Sequence, residues 1–88
     1  MRDTYRKMRW DISSAILNCS RAREEEPFLK ISEVIKTVEG VESPHEEIKE
    51  DLIAKINKFA KRGENIHVSL ALGEVALFFM IKENEAVN

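Results

Sequence analysis

Residues 66–81 form an almost unbroken apolar, β-favouring run, cut once at Gly73-Glu74, and no other stretch limits the available folds as tightly. Such a run reads as two antiparallel strands joined by a tight turn. Ile66, Val68, Leu70 and Leu72 alternate with His67, Ser69 and Ala71, so the first strand has one apolar and one milder face. The second strand lacks that contrast. Val75, Leu77, Phe79 and Ile81 lie on one face and Ala76, Phe78 and Met80 on the other, so both sides need cover. Ala76, Phe78 and Met80 are therefore the expected interface with a partner protein or a second copy.

Upstream, the spacing predicts three helices. Tyr5, Met8, Ile12, Ala15, Ile16, Cys19 and Ala22 recur at steps of three and four, which keeps side chains on one helical face over about residues 3–23. Pro27 and the three preceding glutamates end it. Residues 28–31 alternate as a brief strand, and Ser32 caps a short helix over 32–39 with Gly40 as its left-handed end. Ser43-Pro44-His45-Glu46 has the pattern of a capping box, opening a helix over 44–62 that Gly63 stops. Ile48, Leu52, Ile53, Ile56, Phe59 and Ala60 form its apolar stripe. With the hairpin this gives an α+β domain of three helices followed by a C-terminal β-hairpin, spanning 1–88 with 83–88 as a frayed tail.

The 88 residues, 43% hydrophobic and 34% charged, suit one small core. A domain of this length should have a radius of gyration of about 12 Å. Cys19 has no second cysteine to bond, and Arg2, Arg6, Lys7 and Arg9 interrupt any signal-peptide-like apolar stretch at the start. No window reaches the roughly 18 apolar residues of a membrane span. These features predict a cytoplasmic chain with no membrane partner.

Residues that could carry catalysis are sparse. His45 and His67 fall in different elements with one cysteine, which does not make a zinc site. Cys19 sits in an apolar stripe, as a buried inert thiol would. The glycines have structural roles as caps or turn, and Ser13 and Ser14 have no neighbouring base. The expectation is a binding protein, not an enzyme, with no cofactor and no metal.

Charge is segregated. Residues 1–23 carry a net +4 and residues 24–54 a net −7, while Lys55, Lys58, Lys61 and Arg62 form a second basic cluster, within an overall −2. Clustered charge sets the local potential a partner meets.

A long helix, a short strand, two further helices and a terminal hairpin in that order resemble the winged-helix superfamily. The resemblance implies a DNA-associated transcriptional regulator, with its third helix in the major groove and the hairpin as a wing. Here the third helix offers His45, Glu46, Glu47, Lys49, Glu50 and Asp51, a set that repels phosphates. DNA contact is therefore expected from Arg2, Arg6, Lys7 and Arg9, with Tyr5 and Trp10 among them, and from Lys55, Lys58, Lys61 and Arg62, in a homodimer. The competing expectation is a protein-interaction or inhibitor module built on the acidic third helix and the apolar hairpin.

Overall fold

The computed structural model describes residues 2–21, 27–58 and 65–87. The element order is α1 (Arg2–Arg21), β1 (Phe28–Lys30), α2 (Ile31–Gly40), α3 (Glu46–Asn57), β2 (Asn65–His67) and α4 (Val68–Val87). Its radius of gyration is 12.7 Å. Helix α1 buries Tyr5, Met8, Ile12 and Ile16, the stripe that its three- and four-residue spacing requires. It packs chiefly along α4 and also touches α2, which in turn lies against α3.

Among the described residues the sheet is one antiparallel pair with register Phe28↔His67, Leu29↔Ile66 and Lys30↔Asn65. Only the central pair, Leu29 and Ile66, is buried, so the two strands add one apolar layer at the end of the helical core. The Val68 N–H donates to the Pro27 carbonyl at 2.7 Å, tying the start of α4 to the residue before β1. On the other face of the pair, His67 and Phe28 meet edge-to-face, with ring centroids 5.1 Å apart.

The C-terminal hairpin of the expected α+β fold is not present. Residues 65–67 pair with β1, and residues 68–87 form one helix that takes in 83–87 of the 83–88 stretch read as a frayed tail, Asn88 lying outside the described residues. The reason lies in the period of burial. Val68, Ala71, Val75, Phe78 and Phe79 are buried and Leu72 packs beside them, a pattern of three- and four-residue steps. The opposite face is apolar too, so an alternating template fits the letters as well as a helical one. With no hairpin there is no wing, and the element order differs from that of a winged helix.

Two local assignments also change. Ser43 is not a helix N-cap; its hydroxyl accepts from the His45 N–H at 3.0 Å, and α3 starts at Glu46 with His45 as a cap residue that makes no side-chain cap bond. Gly40 is the last helical residue and is not left-handed, with Val41 leaving in an extended conformation.

Gly73, read from sequence as a turn residue, lies inside α4. Its φ is outside the left-handed region and an added Cβ would meet nothing within 4 Å. Gly73→Ala should therefore stabilise the chain by about 0.5–1 kcal/mol, the helical preference of alanine over glycine. A thermal melt should show a rise of about 2–8 °C. A turn with positive φ at this position would give a fall instead.

Candidate interaction surfaces

The side chains that could do chemistry are engaged in packing. Cys19 is half-buried, its Sγ 3.9 Å from Glu33 Oε2. His45 packs edge-on to Tyr5 with centroids 5.6 Å apart, and His67 Nδ1 accepts the Ser69 N–H at 3.0 Å. Among the described residues, no three histidines, cysteines or carboxylates gather to hold a metal. No helix among them is long and apolar enough to cross a membrane.

The basic residues do not form one stripe. Arg2 lies in the first turn of α1, Arg6 and Lys7 are exposed and Arg9 is half-buried. Lys7 is already paired with Asp11 at 2.8 Å. It borders a cleft of about 450 Å³ between α1 and the α2–α3 connection, where Asp3, Asp11 and Glu42 surround a floor of Met8 and Pro44. The second cluster lies elsewhere. The Tyr5–His45 contact sets the start of α3 against the first turns of α1, and Lys58 follows the other end of a helix about 18 Å long. Lys55 is half-buried with its Nζ 6.0 Å from the centre of the Phe78 ring. Lys61 and Arg62 lie outside the described residues.

On α3 the outward side is acidic, with Glu46, Glu47, Glu50 and Asp51 exposed. Lys49 does not belong to it. Its side chain is buried and donates to the carbonyls of Glu39 and Val41 at 2.9 and 2.7 Å, so the sequence assignment of Lys49 to the solvent face is corrected.

Ala76, Phe78 and Met80 do not share a face. A helix turns each residue about 100° from the last, which sends Phe78 into the core and leaves Ala76 and Met80 outside. The Phe78 ring stacks edge-to-face on Phe79, with Lys82 Nζ 5.5 Å from its centre. The large exposed apolar residues of α4 are instead Leu70, Leu77, Met80 and Ile81, each between 42 and 50% accessible. Steps of seven and of three or four relate them, with Gly73 and Asn84 completing the row. That spacing was available in the sequence once the segment is read as a helix.

Of the two aromatic residues expected among the N-terminal basic residues, Tyr5 is buried in the core and Trp10 faces outward. Trp10 is 72% exposed and Leu17, seven residues on, is also exposed. Comparison with protein-family models, curated protein sequences and solved structures returns no match for this chain.

Proposed function

We propose that this chain is a small non-catalytic binding module that docks through the outer face of α4, its first partner being a second copy of itself. The observation that carries this reading is the row of Leu70, Leu77, Met80 and Ile81, four large apolar side chains left about half exposed on a helix whose other face fills the core. Contiguous exposed apolar surface is unfavourable in water and marks interaction sites. Seven-residue spacing suits pairing with another helix. Isologous pairing uses the same four residues on both copies, so the face is its own complement.

Light scattering over a concentration series tests this. The parent chain should gain mass towards a dimer, and Leu77→Asp should hold it as a monomer. Two opposed carboxylates at the centre of the face should weaken association by 100-fold or more, at the several kcal/mol typical of like charges in contact. Leu77 is exposed, so the variant should keep its helical spectrum. A parent chain that stays monomeric throughout, or a Leu77→Asp chain that still dimerises, would remove the reading.

A further inference from the structure

The side of α1 turned away from the core carries Arg6, Trp10, Leu17 and Arg21 at steps of four, seven and four, with Arg9 on its flank. Arg6 and Arg21 bracket Trp10 along about 22 Å of helix. The serines at 13 and 14 fill the interval without charge. Asp3 shares this side one turn before Arg6, while Lys7 is turned to the acidic cleft and is held by Asp11. The strip from Arg6 to Arg21 is therefore cationic, in a chain of net −2, around an aromatic plane that is 72% accessible.

We infer that this strip binds single-stranded nucleic acid, with a base stacked on Trp10 and the flanking phosphates on Arg6, Arg9 and Arg21. Exposed aromatic rings between cations are the elements of sequence-tolerant single-strand binding, because every base offers a π-face and every nucleotide a phosphate. Three other anionic partners fit less well. A duplex keeps its bases stacked and paired, which leaves the indole plane uncovered. An anionic membrane needs an apolar helical face to sink into the headgroups, but the apolar stripe of α1 is already in the core. A peptide of acidic residues alone can pair with the arginines but brings no planar ring to stack on the indole.

The chain has a single tryptophan, so its fluorescence reports on this strip alone. Titrated with a short oligothymidylate at low salt, Trp10 should be quenched saturably. With three phosphate contacts, the logarithm of the binding constant should fall against log salt with a slope of about −2. By anisotropy of a labelled strand, Trp10→Ala should weaken binding at least about fivefold and Trp10→Phe should restore most of it. Arg6→Glu with Arg9→Glu should flatten the salt slope. Both tryptophan variants change an exposed side chain and should melt with the parent. The inference falls if the strand causes no saturable quenching, or if Trp10→Ala binds as well as the parent. It falls equally if a duplex binds as tightly as the single strand, or if only phosphatidylserine vesicles or polyglutamate change the Trp10 emission.

Discussion

Phe79→Ala should melt at least about 12 °C below the parent chain, the shift that follows from losing 3 kcal/mol or more in a domain of this size. Phe79 is fully buried, among the largest side chains with no accessible surface, and its ring meets Phe78 edge-to-face with centroids 5.2 Å apart. Removing a buried phenylalanine costs about 3–5 kcal/mol in transfer and cavity terms. The whole stability of a chain this long is about 4–13 kcal/mol at typical values per residue. A single truncation thus removes a large share of it. The neighbours make the result diagnostic. In a helix Phe78 and Phe79 both face inward, so both alanine variants should be severe, whereas Leu77→Ala and Ile81→Ala on the outer face should stay within about 1 kcal/mol. A strand would group Phe79 with Leu77 and Ile81 and set Phe78 apart. Circular dichroism melts of the four variants at low concentration decide between these patterns; a damaging Leu77→Ala with a harmless Phe78→Ala would contradict the helix.

The same residues explain what could be read from the sequence. Helix α1 was legible because its inner face, Tyr5, Met8, Ile12 and Ile16, is apolar while its outer face is largely polar, so a single period fits. Residues 68–81 offer no such contrast. With Leu70, Leu77, Met80 and Ile81 outside and Val75, Phe78 and Phe79 inside, periods of 2 and 3.6 fit almost equally, and Gly73-Glu74 tips the choice towards a turn. The surface that makes α4 a candidate docking face is thus the surface that hid its secondary structure. In α1 the single period sets Trp10 on the side opposite the stripe of Tyr5, Met8, Ile12 and Ile16, so its exposure was legible once the segment is read as a helix. The acidic surface of α3 was legible from residue identity. The separation of the two basic clusters was not, because it depends on the Tyr5–His45 contact, between residues 40 apart in sequence.

Lys49→Met should lower stability by about 2–4 kcal/mol, although it removes only one charge from a chain with 14 basic residues. Lys49 is 5% exposed, and its Nζ donates to the carbonyls of Glu39 and Val41, at 2.9 and 2.7 Å. Glu39 lies in the last turn of α2 and Val41 is its C-cap. Carbonyls at a helix end have no partner within the helix, and a cation there also meets the negative end of the helix dipole. Glu46 Oε2 stands 3.7 Å away but is largely exposed, so the ion pair adds little beside the two carbonyl bonds. Methionine keeps most of the volume and removes the donors, which leaves two carbonyls unpaired beside a buried apolar group. Hydrogen bonds from a charged donor contribute about 1.5–3 kcal/mol each, part of which water at the rim will recover. The spacing of Lys49 with Leu52 and Ile56, steps of three and seven, already places it on the inner side of α3. Urea titration should show a lower midpoint for Lys49→Met with an unchanged slope, while Lys58→Met, on an exposed lysine, should stay within about 0.5 kcal/mol. Equal small effects from both variants would mean that the two carbonyl bonds do not join α2 to α3, and that the apolar contacts of Val38, Ile48 and Leu52 hold the two helices together without them.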